Sequence, residues 1–306
     1  FCTLLDSPVP YPQQMATKDA GGSGGATAKR RCVGVMSGTS LDGLDVAVAD
    51  IAGAGDAIRV VRVAAAATLP LEAGVRRGLA TLLGGGGLAS SSDTLAVVND
   101  LHTAWSAAAA DALLAWLPTV GVPLESVDVV ASHGQTLWHR DPAVPPAVPT
   151  PGRRLGATLQ VGDGEVLCQR LAAALLASSS SAAARPPTVV SNFRAADVAA
   201  GGSGAPLVPF FDRVVVAPEA AAAVEAAEGW RPTHVLPLNL GGIANFSLIA
   251  VGSDSSAATL LDARDSGPAN VMADEAIRAC LFGGGNPEDS AAARAAATAA
   301  GLVWDA

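Results

Sequence analysis

Apolar positions along the chain follow two periods, one suited to strands and one to helices. Around residues 32–50 the runs Cys32-Val-Gly-Val-Met36 and Val46-Ala-Val-Ala49 flank a stretch of small, hydroxyl and acidic residues. This predicts strand, tight turn, strand. Gly84–Asp93 is a flexible loop. From Thr94 to Leu117 apolar residues recur at helical spacing (Leu95, Val98, Leu101, Trp105), which predicts one long helix. Val127-Asp-Val-Val-Ala131 predicts a buried strand whose end delivers His133 and Gln135 into a loop. The segment from Pro142 to Pro151 holds five prolines and is excluded from regular structure. Thr158–Val161 predicts a strand, Glu165–Ala177 a helix and Thr188–Ser191 another strand. The first hairpin plan then recurs. Val235-Leu-Pro-Leu-Asn-Leu240 is a strand, Gly241-Gly-Ile-Ala-Asn245 a turn and Phe246-Ser-Leu-Ile-Ala-Val251 a return strand. Such alternation argues for an α/β fold with function at strand ends.

Composition narrows the chemistry. A chain of 306 residues can hold two domains with separate cores. Half of it is hydrophobic by count, but alanine inflates the figure and aromatics are only 4%, so Val and Leu must build the cores. A formal charge of −9 argues against a nucleic-acid partner, whose phosphates need a basic face. Lysine occurs only at Lys18 and Lys29. A lysine-bearing phosphate loop and a pyridoxal Schiff base are thereby excluded from the body of the chain. Phosphate must be held by backbone amides, hydroxyls, arginines or a metal. The four cysteines (Cys2, Cys32, Cys168, Cys280) lack metal-ligand spacing and suit a reducing compartment. No apolar run reaches membrane-spanning length. Residues 1–28 carry no periodicity and no transit-peptide pattern, so they are expected to be a disordered leader, and the protein cytoplasmic.

Three places carry candidate chemistry. In Ser37-Gly-Thr-Ser-Leu-Asp-Gly-Leu-Asp45, glycine permits close backbone approach to a ligand, and the amides with the Thr39 and Ser40 hydroxyls can ring a phosphate. Asp42 and Asp45 stand where a metal or its waters could be held. In Ser132-His-Gly-Gln-Thr136, a hydrolase pair of Ser132 with His133 fails on geometry, because adjacent strand residues face opposite ways. Asp265 follows the expected strand Thr259–Ala263, and Pro268 opens an expected helix over Ala269–Leu281. A carboxylate at a strand end beside a helix N-terminus suits a general base. Asp262 is its competitor.

These segments, with Thr158-Leu-Gln-Val-Gly162, Asn192-Phe-Arg-Ala-Ala-Asp197 running on to Gly201-Gly-Ser-Gly-Ala-Pro-Leu207, Leu238-Asn-Leu-Gly-Gly-Ile-Ala-Asn245 and Asp265-Ser-Gly-Pro-Ala-Asn270, occur in order. Together they resemble the anhydro-N-acetylmuramic acid kinase family of the sugar kinase/Hsp70/actin superfamily. The resemblance implies an α/β, actin-like/ribonuclease H-like two-domain ATPase fold with the second domain incomplete. The first domain would take residues 29–198, and the N-terminal part of the second residues 199–306.

It also implies an ATP-dependent kinase that opens 1,6-anhydro-N-acetylmuramic acid with water and phosphorylates its 6-oxygen. Its ligands would be ATP with Mg2+ and the small amino sugar, with no membrane or nucleic acid, and the family suggests a homodimer. Gly38, Thr39, Ser40, Leu41, Asp42, Gly43, Leu44 and Asp45 match its first ATP-phosphate segment, and Gly241, Gly242 and Asn245 its second. His133, Gln135 and Thr136 match a segment directed at the sugar. Arg194 and Asp197 precede a glycine crossing suited to a hinge, and Arg194 could clamp a carboxylate or hydroxyl of the sugar. Asp265 takes the place of the catalytic base. Three departures stand out: Asn192 where Asp is usual, Ala269 for glycine, and Arg264 for an aromatic residue. The last puts a cation beside Asp265 and is expected to weaken it as a base. The alternative is a catalytically weak or inactive sugar-binding protein of the same fold.

Overall fold

The computed structural model describes residues 29–38, 41–55, 58–83, 91–146, 156–178, 185–241, 243–252, 258–270, 272 and 276. They belong to two compact units that divide between Leu207 and Val208. Thr39, Ser40 and Gly242 lie outside the described residues, as do residues 1–28 and most of the helix expected at 269–281.

The first unit is built on a mixed sheet. Strands β1 (Arg30–Ser37), β2 (Leu44–Ala52) and β3 (Arg59–Leu69) form an antiparallel meander. On its other side β1 pairs in parallel with β4 (Val129–Arg140). The far edge of β4 carries β6 (Thr188–Ser191) in parallel and, further along, β5 (Ala157–Val161) antiparallel. Alternation decides which face is covered: Val33 and Val35 on β1 and Leu44, Val46 and Val48 on β2 are buried. Helices α1 (Ala73–Leu83), α2 (Ser91–Trp116) and α3 (Gly164–Ser178) supply the other half of this core. Each does so through a stripe at fourfold spacing: Val75 and Leu79, then Leu101, Trp105, Ala109 and Leu113, then Leu167 and Leu171. Every such Leu or Val contributes roughly 1.5–3 kcal/mol by burial. A short helix, α4 (Phe193–Ala200), follows β6.

The strand–turn–strand at 32–50, the long helix and the strand–helix–strand run from 158 to 191 appear as the pattern predicts. Two elements were not anticipated: β3, whose Ala-rich sequence carries little strand signal, and α1. One expectation is corrected. β4 does not end at Ala131 but continues through His133 and Gln135 to Arg140, because β5 pairs with its second half.

In the second unit α5 (Val208–Phe211) passes through a π-turn (Asp212–Val216) into α6 (Ala217–Glu228), which Gly229 ends in a left-handed conformation. Strand β9 (Ile243–Val251) pairs antiparallel with β10 (Ala258–Pro268), β7 (His234–Val235) and β8 (Leu238–Leu240). The single strand expected at 235–240 is broken at Pro237, which has no N–H to donate, although its carbonyl accepts the Ser247 amide at 3.1 Å. Ala217 and Ala221 of α6 pack on Ile249 and Val251. Among the described residues no helix is long and apolar enough to cross a membrane.

Candidate active site

Parallel pairing brings three of the motif segments to one edge of the first sheet. Val35 of β1 lies level with Ser132 of β4, and Ser132 with Ser191 of β6. The turn after Ser37, the His133–Thr136 segment and the start of α4 therefore share the carboxyl end of the parallel strands, where α/β sheets take ligands.

The turn is closely constrained. Leu41 is buried in a left-handed conformation (φ 56°) and donates its amide to the Gly38 carbonyl at 3.2 Å. A Cβ on Gly43 would lie 2.6 Å from both the Leu69 carbonyl oxygen and Thr68 Cγ2, so only glycine lets the turn rest against β3. Leu44 is buried in the core, where it anchors the turn. Asp42 is exposed, and Asp45 Oδ1 accepts the Thr68 hydroxyl at 2.7 Å.

On β4, Gly134 adopts φ 74°, and a Cβ there would come within 2.2 Å of the Val161 carbonyl oxygen. His133 is buried. Its Nδ1 lies 3.0 Å from the Gly134 carbonyl, and its Nε2 accepts Arg194 Nε–H at 2.9 Å. Those partners assign the neutral tautomer protonated at Nδ1. Burial, and next the Arg194 cation, hold its pKa below the ordinary value. Arg194 Nη1 donates to the Gly204 carbonyl at 2.7 Å, and the Gly204 amide donates to buried Asp197 at 2.7 Å. His133, Arg194, Asp197 and the Gly201–Gly204 stretch thus form one bonded cluster. Thr136 Oγ1 accepts Gln160 Nε2 at 3.1 Å. Gln135 is fully buried, with Oε1 accepting the Ser37 hydroxyl at 2.7 Å and Nε2 donating to the Thr136 carbonyl at 3.2 Å. Asn192 is exposed at the N-cap of α4 in a left-handed conformation (φ 59°), and its side chain makes no cap hydrogen bond.

In the second unit the strand containing the proposed base is longer than expected. β10 runs to Pro268, so Asp265 is an exposed strand residue opposite Asn245 of β9. Asn245 also lies in β9, opposite Asn239 of β8 as well, and not in the turn. The Gly241 turn is tied to the segment after Asp265 through Asn270, whose amide donates to the Gly241 carbonyl at 3.0 Å and whose Nδ2 donates to the Leu240 carbonyl at 2.9 Å. Arg264 bonds Asp262, its neighbour two residues back on the same strand face. The cation expected beside Asp265 is thus directed to the competing carboxylate. Three participants escaped sequence reasoning. Asn270 was signalled by its place in the Asp265–Asn270 motif, Ser37 by its place before the turn, and Trp105, whose indole N–H donates to Ser37 Oγ at 2.9 Å, only by the stripe of α2. Among the described residues, no three His, Cys, Asp or Glu side chains are grouped to hold a metal.

The family model for anhydro-N-acetylmuramic acid kinase matches residues 30–303. The chain belongs to the anhydro-N-acetylmuramic acid kinase family. The anhydro-N-acetylmuramic acid kinase of Salinibacter ruber is 36% identical over 83% of this chain and 54% of its own length. Those of Gloeobacter violaceus (34% identical, 84% of this chain, 56% of its own) and Methylorubrum populi (37%, 79% and 55%) are similar to the same degree. The chain therefore spans about half the length of the kinases it matches. A solved structure, YeaZ from Pseudomonas aeruginosa, aligns over 78% of this chain and 68% of its own at 12% identity, with a TM-score of 0.21 that adds nothing to the fold.

Proposed function

We propose that this chain carries the phosphate- and sugar-binding segments of an ATP-dependent kinase for 1,6-anhydro-N-acetylmuramic acid. Its fold would be actin-like, with a ribonuclease H-like first domain and the opening of a second. The supporting observation is that β1, β4 and β6 deliver the Gly38–Gly43 turn, the His133–Thr136 segment and the Arg194 cluster to one sheet edge. The strand order β3-β2-β1-β4, with β6 beyond it, agrees with that architecture.

In this reading water attacks the anomeric carbon and a base accepts its proton. The bond from that carbon to the bridging oxygen breaks, leaving the oxygen on C6. The freed 6-oxygen attacks the γ-phosphorus of ATP, and ADP departs. Gly38, Thr39, Ser40, Leu41, Asp42 and Gly43 would form the first phosphate turn, with Leu44 and Asp45 opening its return strand, and Gly241 and Gly242 the second, with Asn245 on the strand that follows it. Thr136 and Arg194 would face the sugar, with Arg194 as the cation for its carboxylate, while buried His133 and Asp197 hold that arginine and the Gly201–Gly204 stretch in place. Gln135 serves from the core, since both ends of its amide are engaged. Mg2+ takes one or two carboxylates plus substrate phosphates, and exposed Asp42 beside the turn suits it. When bound it would neutralise charge on the transferred phosphoryl group. Asp265 is the proposed base. The cytoplasmic location is proposed because the scattered cysteines suit a reducing compartment, and the homodimer because of the family resemblance.

Asn192 favours a second reading. It stands where a strand end meets a helix start, the place that suits a base, yet it carries an amide. A chain lacking its base would bind sugar without turning it over. ADP release in a coupled assay, with and without the anhydro sugar, separates the two. Sugar-dependent release supports the kinase. Binding by calorimetry without release supports the weak or inactive protein, and neither binding nor release would contradict both.

A further inference from the structure

We propose that Trp105 of α2 is a positioning residue that fixes the phosphate turn against the sugar-facing segment, an inference that rests on the kinase reading above. Its indole Nε1–H donates to Ser37 Oγ at 2.9 Å, and Ser37 Oγ donates in turn to Gln135 Oε1 at 2.7 Å. All three side chains are buried, with Trp105 and Gln135 at 0% exposure, so this is a closed polar network inside an apolar core. Ser37 is the last residue of β1 and directly precedes Gly38, whereas Gln135 belongs to the His133–Thr136 segment.

The ring of Trp105 reaches a third segment. A Cβ built on Gly162 would lie 3.0 Å from Trp105 Cε3, 3.2 Å from Cζ3 and 3.0 Å from Gly134 Cα. The indole thus packs on the point where the Gly134 and Gly162 backbones meet. One helical turn earlier, His102 accepts the Gly162 amide at Nδ1 (3.0 Å) and the Asp163 amide at its carbonyl (3.1 Å). One face of α2 therefore meets the end of β1 and the Gly162 turn after β5, beside the middle of β4. Trp105 bonds Ser37 directly, reaches Gln135 through it and sets its ring at Gly162. A phenylalanine there would keep a ring at the glycines but could not donate the hydrogen bond that orients Ser37.

Positioning groups act on rate more than on ground-state affinity, because small misplacement of reacting groups is costly. Trp105→Phe keeps a ring on the glycines and removes the N–H. In the full chain it should lower kcat by roughly 10-fold or more while the KM for ATP and for sugar stay within about 3-fold. Ser37→Ala should do the same, and the double variant should be no worse than the poorer single one, since both cut one network. Leu113→Val, a core change on the same helix, should lower the melting temperature and leave kcat alone. Hydrogen exchange gives a readout independent of activity. In either network variant, exchange should accelerate at 36–45, 133–136 and 161–163 and stay unchanged in the middle of β2. A wild-type chain without kinase activity would defeat the kinase reading, and the exchange pattern would still decide this inference. Uniform or absent acceleration, or a kcat equal to wild type in both network variants, would overturn it.

Discussion

The two glycine turns share a strand–turn–strand plan and differ in what supports them. The first lies on a sheet face packed against three helices, with Leu41 and Leu44 buried at its far side and the Trp105–Ser37–Gln135 network beneath its start. Among the described residues the second has lighter support. Leu238, Leu240 and Ile243 flank it at 56%, 61% and 55% exposure, and the buried cluster of its unit comprises Ala217, Ala221, Ile249 and Val251. Asn270 and backbone pairing hold it in place. The same local sequence signal therefore accompanies side-chain packing in one unit and hydrogen bonds to the main chain in the other. Substitutions should separate the two.

The largest effect is expected on rate. If the base belongs to the second unit, Asp265→Asn lowers turnover by about 10²–10⁴-fold and leaves sugar affinity within a few-fold. Asn192→Asp then changes turnover little. The reverse outcome, a gain in Asn192→Asp with Asp265→Asn near wild type, would move the base to the strand end of the first unit. Steady-state kinetics on the two variants decides it.

Stability comes next. Gly43→Ala places a methyl group 2.6 Å from the Leu69 carbonyl oxygen and should cost on the order of 3 kcal/mol or more in thermal or denaturant unfolding. Among the described residues Gly241→Ala meets nothing closer than 3.6 Å, and it should stay within about 0.5 kcal/mol. Equal costs would erase the contrast between the turns. A smaller loss is expected from Asn270→Ala, which deletes the side-chain bond to the Leu240 carbonyl and should cost about 0.5–1.5 kcal/mol, read as local exchange at 238–241.

The smallest effect is a pH dependence of the first unit. His133 is held neutral by burial and by Arg194, so its folded pKa lies below the unfolded value of about 6.5. Below that value the unfolded chain takes up a proton that the folded chain refuses. Stability is therefore intact above about pH 6.5 and falls as pH drops toward the folded pKa. His133→Gln should flatten that part of the profile, measured by denaturant midpoints from pH 7.5 to 5.

Much of the first unit was legible because its strands and helices carry clean periodicity over long segments. Strand ends were less so. The extension of β4 past Ala131 depends on pairing with β5 and on the positive φ of Gly134, both set by distant residues. Asp265 was expected just beyond a strand, but β9 extends the pairing through it to Pro268. Arg264 was expected to act on Asp265, yet strand alternation turns it toward Asp262. Trp105 looked like one more apolar position on a helix, since periodicity reports burial and says nothing of which polar atom an indole will meet.

The central claim, that this chain serves hydrolytic ring opening joined to phosphoryl transfer, is tested most directly by the product formed in ¹⁸O-labelled water. The full chain with ATP, Mg2+ and 1,6-anhydro-N-acetylmuramic acid should release ADP only when sugar is present. The sugar 6-phosphate should carry one ¹⁸O on the anomeric carbon and none in its phosphate. Label in the phosphate, or a phosphorylated sugar with its anhydro bridge intact, would contradict the account.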